Sequence, residues 1–186
     1  MPFPASSWTN RRRHAILYTA RNVVIGERKG PEGSAPQGNE VMKILLVNGP
    51  NMARLGRREP GIYGTRTLPD IVAELRGAAE KRGVELVDFQ SDIEGELVRR
   101  IGQAQDEGCS GIIINPGAYT HTSVALRDAL AAAGIPAIEV HLSNVSGREA
   151  FRRVLVTTPV CRGMICGLGA QGYLLALDAF CGGAVK

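Results

Sequence analysis

Two kinds of residue in this chain could move protons, and both stand among glycines, prolines and asparagines rather than inside periodic runs. Tyr63 lies near the end of the stretch Asn48-Gly49-Pro50-Asn51-Met52-Ala53-Arg54-Leu55-Gly56-Arg57-Arg58-Glu59-Pro60-Gly61-Ile62-Tyr63-Gly64. Set between glycines, it exposes a hydroxyl more readily than it buries a ring. Arg58 stands five residues earlier. A nearby guanidinium favours the phenolate and lowers a pKa that starts from about 10, so a tyrosinate can serve as a base. The second kind is histidine. His141 closes the run Glu139-Val140-His141, and Glu139 projects to the same face if that run is a strand. Such a carboxylate would orient the imidazole for acid–base work. His121 lies in Asn115-Pro116-Gly117-Ala118-Tyr119-Thr120-His121-Thr122-Ser123, where the pattern places it at a helix start with backbone N–H groups turned to a ligand. Taken singly, each histidine has a plain structural explanation. Together with Asn, Arg and Tyr they describe a polar pocket.

These residues need elements to bring them together. Lys43–Asn48 is a short apolar run ending in a turn, which predicts a buried strand. Thr67 is placed to cap a helix with Leu68, Ile71, Val72 and Leu75 on one face, stopping at Gly83. Val84–Gln90 reads as a second strand. Ser91 and Glu94 have the spacing of a capping box before a helix carrying Ile93, Leu97, Ile101 and Ala104. Gly111–Asn115 is the third strand, followed by a helix with the stripe Leu126, Ala129, Leu130 and Ala133. Ile135–His141 is the fourth strand, Arg162–Cys166 the fifth, and Ala170–Phe180 the last helix. Five alternations imply a parallel sheet covered on both faces. The simplest right-handed solution is a flavodoxin-like three-layer α/β sandwich with strand order 2-1-3-4-5. In such a sheet ligands bind beyond the carboxyl ends of the strands where the order reverses, between strands one and three. The loops carrying Tyr63, His121 and His141 leave strands one, three and four.

Composition excludes several function classes. Residues 1–41 hold six basic and three acidic side chains, leaving sixteen and fifteen for the rest of the 186-residue chain. The basic excess therefore belongs to the N-terminal stretch, and the body lacks the electrostatic footprint of a nucleic-acid binder. Nothing has the length and apolarity of a membrane span, and the first residues lack a secretory h-region. Cys109, Cys161, Cys166 and Cys181 form no C-x-x-C pair, and they read as buried, reduced thiols of a cytoplasmic protein. The Gly- and Pro-rich composition of residues 30–39 marks 1–41 as a disordered extension or a mis-started reading frame with Met42 as the true start. Residues 42–186 then make one domain.

Rival chemistries lack their residues. Gly167-Leu168-Gly169-Ala170-Gln171-Gly172 is a literal G-x-G-x-x-G, but only 14 residues follow it, too few for the next strand and its ribose-binding acid. Close packing at the last strand–helix turn accounts for it better. A flavin module would want a Ser/Thr-rich phosphate loop after the first strand, and a receiver domain an acidic cluster. A Schiff-base route would want a lysine at a strand end, whereas Lys43, Lys81 and Lys186 are the lysines after Met42. A metal-dependent hydrolase would want His-x-His or His-Glu-x-x-His. A non-catalytic flavodoxin-like binding module remains the alternative to an enzyme.

The motifs as a set resemble those of the type II 3-dehydroquinate dehydratase family. They are Asn48-Gly49-Pro50-Asn51 with Leu55-Gly56-x-Arg58-x-Pro60-x-x-Tyr63-Gly64, Phe89-Gln90-Ser91-Asp92-x-Glu94-Gly95-Glu96-Leu97, Asn115 to Ser123, Glu139 to Asn144, and Gly167-x-Gly169-x-x-Gly172-Tyr173. They cover about residues 42–182 in family order. The resemblance implies a hydro-lyase that needs neither cofactor nor metal and converts 3-dehydroquinate to 3-dehydroshikimate. It implies Tyr63 as the base, Arg58 as the group that keeps it ionised, and Asn51 as holder of a water at the enolate. His141 would be the general acid, with Glu139 behind it. Asn115, His121 and Arg152 would bind substrate hydroxyls, and Leu142 N–H and Ser143 the carboxylate. Asp128 would reach a neighbouring subunit's pocket in a dodecamer built as a tetramer of trimers. The chain departs from the family's usual pattern at Met52-Ala53-Arg54, where Arg54 would alter the packing of the long loop after the first strand, and at Gly102.

Overall fold

The computed structural model describes residues 41–57 and 65–185, all within one unit, Asn39–Lys186. The expected extension over residues 1–41, apart from Val41, lies outside the described residues, as do Arg58 and Tyr63. Five strands, β1 (Met42–Asn48), β2 (Val84–Gln90), β3 (Gly111–Asn115), β4 (Ala137–His141) and β5 (Gly163–Cys166), form one parallel sheet in the order β2-β1-β3-β4-β5. Four helices connect and cover them: α1 (Leu68–Glu80), α2 (Glu94–Gly102), α3 (Val124–Ala132) and α4 (Gln171–Cys181). This is the expected flavodoxin-like sandwich, with element ends within about two residues of those expected.

β1 shows why the sheet is central. Its Ile44, Leu45, Leu46 and Val47 are fully buried, because one face of the strand meets α1 and α4 and the other meets α2 and α3. Each such side chain removed from water contributes about 1.5–3 kcal/mol, so a strand covered on both sides must be apolar without interruption. The same alternation sorts the site. Ile44 and Leu46 lead to Asn48 on the α1/α4 face, and Ile113 leads to Asn115 beside it. Ala137, by contrast, leads to Glu139 and His141 on the α2/α3 face.

Two local expectations are corrected. Thr67 does cap α1 through a box with Asp70, but Ser91 makes no such box with Glu94. Its hydroxyl accepts from Ile93 N–H at 2.9 Å and donates to Glu96, so Ile93 becomes the cap residue and is exposed. The local Asx-like turn takes the hydroxyl before the helix can. The thiols also differ from expectation: Cys109 is buried, Cys161 and Cys166 are half-buried, and Cys181 is exposed at the end of α4. An outward position on the last helix turn removes the burial that a small apolar residue would otherwise seek.

Candidate active site

The loops after β1 and β3 interlock at the point where strand order reverses. Gly49 N–H donates to Asn115 O at 2.8 Å, and a Cβ on Gly49 would meet Pro116 O at 2.6 Å. Gly117 has φ +59° and packs against Pro50. The turns Asn48-Gly49-Pro50 and Asn115-Pro116-Gly117 can approach this closely only with glycine at the crossing. Asn51 follows in the left-handed region, with φ +67°, and its N–H donates to Asp92 Oδ1 at 2.9 Å. It is the one non-glycine with positive φ among the described residues, and asparagine is among the side chains that tolerate it best. A backbone bent at this cost puts Asn51 on the rim of the crevice.

That crevice is a pocket of about 90 Å³. Asn51 and Asn115 line it from the β1 and β3 loops, and His121 from the turn after β3. His141, Leu142 and Ser143 line it from the end of β4, and Arg152 from the chain beyond. The described part of the site thus gathers nearly every expected residue in one cavity. Asp128 stands apart, exposed on α3 and outside this pocket. Arg148 and Val145 also line the pocket, although no sequence signal marked them.

The strongest electrostatic feature lies under His141. Its Nε2 is 2.6 Å from Glu139 Oε1, and Glu139 is fully buried. Thr120 donates to the same oxygen at 2.6 Å, and Thr157 donates to Oε2 at 2.8 Å. Burial opposes the charge on Glu139. The bonds from His141, Thr120 and Thr157 more than offset it, and hold the carboxyl below the usual range. With Glu139 ionised, Nε2 must carry a proton, which leaves Nδ1 as the ring nitrogen for the pocket.

His121 sits differently from expectation. It ends the 3-10 turn Gly117–His121, and Ser123, not the histidine, caps α3. Its Nδ1 donates to Val154 O at 2.8 Å, since a carbonyl can only accept, and its ring meets Phe151 edge-on. Arg152 is held by Glu149 at 2.8 Å. On the other face of the sheet, Tyr173 of α4 donates to Asn48 Oδ1 at 2.6 Å and accepts from Asn115 Nδ2 at 3.0 Å. Tyr173 is fully buried, and burial pushes its phenol well above the ordinary range. It stays neutral and acts as a bracket between two strand ends. Gly172, beside it, is where a Cβ would come within 3.1 Å of Val140, so the Gly-rich motif serves helix–sheet packing as expected.

A doubly wound parallel sheet with an acid–base pair in its switch-point crevice defines the class of protein: an α/β enzyme fold with a polar small-molecule site. The family model described as Dehydroquinase class II matches residues 42–181, and the chain belongs to that family. A 3-dehydroquinate dehydratase from Lachnoclostridium phytofermentans is 59% identical over 138 residues, covering 74% of this chain and 95% of the relative. One from Thioalkalivibrio sulfidiphilus is 58% identical over 137 residues, covering 74% and 93%. The crystal structure of a type II dehydroquinase from Butyrivibrio crossotus superposes with a TM-score of 0.72 at 48% identity, covering 74% of this chain and 95% of that one. That from Propionibacterium acnes gives 0.73 at 43%, covering 75% and 96%.

Proposed function

We infer that this chain dehydrates 3-dehydroquinate to 3-dehydroshikimate, the third step of the shikimate route to aromatic amino acids. The ketone makes the neighbouring C–H acidic, so the reaction needs a base, a group to steady the enolate and an acid for the leaving hydroxyl. Tyr63, kept ionised by Arg58, takes the proton, and Asn51 holds a water against the enolate oxygen. His141 delivers a proton from Nδ1 to the hydroxyl as it departs, and Glu139 steadies the imidazole through Nε2. Asn115, His121 and Arg152 bind substrate hydroxyls, and Leu142 N–H and Ser143 take the carboxylate. Tyr63 and Arg58 enter through their motif alone, because both lie outside the described residues.

One observation carries the reading: a buried glutamate at 2.6 Å from a histidine that opens onto a pocket rimmed by asparagines and two arginines. A non-catalytic module of the same fold loses its footing, since curated relatives that this chain matches over nearly their whole length carry an enzyme's name. The test is direct. Purified protein with 3-dehydroquinate should raise the ultraviolet absorbance of a conjugated enone, and do so equally with a strong chelator present. No rise at micromolar enzyme would remove the assignment.

The dodecamer, a tetramer of trimers, belongs to the same proposal. Asp128 is exposed on the helix that also exposes Val124, while Phe151 and Val154 stand open beside His121. Apolar residues of that size gathered at a pocket mouth favour a neighbouring subunit there, bringing its own Asp128. Light scattering should give twelve chains, and a monomer with full activity would overturn the shared pocket. No helix among the described residues is long and apolar enough to cross a membrane, and the cytoplasm is the proposed location. Residues 42–186 are proposed as the catalytic domain, with the preceding residues dispensable for turnover.

A further inference from the structure

Thr157 lies outside every motif that marked the site, yet it is fully buried and aimed at the most consequential charge in it. A carboxylate's final torsion is soft, so a glutamate that must orient an imidazole needs donors on both oxygens. Oε1 of Glu139 has two, His141 Nε2 and Thr120 Oγ1, each at 2.6 Å. Oε2 has Thr157 Oγ1 at 2.8 Å and, beyond it among the described residues, only the Cys161 thiol at 3.9 Å. Thr157 Oγ1 also lies 2.9 Å from Thr120 Oγ1, but each hydroxyl gives its one proton to Glu139, so the two are neighbours on the carboxylate rather than partners of each other.

The backbone carrying Thr157 is tied to the loop that carries the histidine side of the pocket. Val154 O accepts from His121, Val156 N–H donates to Thr120 O at 2.7 Å, and Val156 O accepts from Arg127 at 2.9 Å. Three successive ties of this kind leave the Thr157 hydroxyl little freedom, which is what a preorganised support requires.

We propose that Thr157 is a positioning residue for the dehydration: it locks Glu139 through Oε2 and so sets the orientation of His141. This rests on His141 being the general acid. The titratable groups facing Glu139 are His141 and Cys161.

The test compares Thr157→Val, which keeps the shape and loses the donor, with Thr157→Ser, which keeps the donor. In Thr157→Val, kcat should fall about tenfold, the size of one lost hydrogen bond to a charged group, while KM stays within about twofold. The acid limb of its pH–rate profile should move to higher pH, because an ionised carboxylate stripped of a donor takes up a proton more easily. Thr157→Ser should restore both. A folded Thr157→Val with wild-type kcat and an unmoved acid limb would overturn the proposal, as would a loss confined to KM. Should the valine variant not fold, Thr157→Cys against Thr157→Ser decides: equal kcat would sink the idea, and a weaker thiol donor giving the lower rate would support it. If the wild-type protein itself fails to turn over 3-dehydroquinate, the functional reading fails instead, so the two failures remain distinct.

Discussion

On the α1/α4 face of the sheet the pocket rests on three uncharged side chains, Asn48, Asn115 and Tyr173, the tyrosine hydroxyl bonded to both asparagines and all three buried. On the α2/α3 face it rests on a buried carboxylate with two threonines and a histidine. Both networks finish a strand and both hold a pocket residue from below, Asn115 in one case and His141 in the other. The first contains nothing that titrates near neutrality, since burial keeps the Tyr173 phenol protonated. The second keeps a charge against the cost of burial. A neutral network can fix where a substrate hydroxyl sits, but only a charged one can stabilise an imidazolium as it forms and gives up its proton. Under the proposed function, the two faces therefore divide binding from proton transfer.

The widest separation should come from removing the proposed acid. His141→Ala is expected to lower kcat by about a thousandfold or more, the range of a lost general acid, with the fold intact by circular dichroism. Tyr63→Phe, which removes the proposed base, should do the same. Glu139→Gln should fall somewhat short of these, because the amide keeps the volume but withdraws the charge behind the ring. Its folded state should also lose the acid sensitivity that Glu139 confers. The carboxyl is held below its ordinary range in the fold, so its contribution is present above the unfolded pKa and lost as pH falls through the folded one. A urea-unfolding series from pH 7 downward reads this out, and identical slopes for wild type and Glu139→Gln would contradict it.

Tyr173→Phe tests the neutral face and should look different in kind. Removing the hydroxyl leaves Asn48 Oδ1 and Asn115 Nδ2 without their partner in the interior, at a cost of about 1–3 kcal/mol. The melting temperature should drop by several degrees and KM should rise as Asn115 loosens, with kcat and the pH profile little changed. A pH profile that moved with Tyr173→Phe would erase the division between the two faces.

Much of this arrangement is legible in the chain before any coordinates. The strands are, because segments buried on both faces must be short apolar runs with turns at each end. The Glu139–His141 pair follows from nothing more than the period of two. What stays hidden depends on residues meeting from distant elements. Tyr173 enters only as the last residue of the Gly167–Tyr173 motif, with no role attached, and its hydroxyl matters because Asn48 and Asn115 end beside it. Thr157 sits in the stretch between β4 and β5, where three short 3-10 turns carry no period at all. Arg148 is hidden for the same reason. Ser91 and His121 mislead in the opposite way: each has the spacing of a helix start, but a tighter local turn captures the backbone first.

The smallest expected effect concerns Cys161, which lies as close to the charged network as anything not bonded strongly to it. Its thiol is 3.9 Å from Glu139 Oε2 and 3.6 Å from Thr157 O. Burial, and then the neighbouring carboxylate, push its pKa up to about 12, so it remains a thiol throughout the working range. A thiol is a weak donor, and at that separation it adds little to an oxygen already served by Thr157. Cys161→Ala should therefore leave kcat within about twofold and the acid limb where it was, at a cost of about 1 kcal/mol for the vacated volume. A loss approaching that of Thr157→Val would mean that proximity to the buried charge, rather than a well-directed hydroxyl proton, is what holds Glu139 in place, and the distinction between donors and mere neighbours on that face would have to be redrawn.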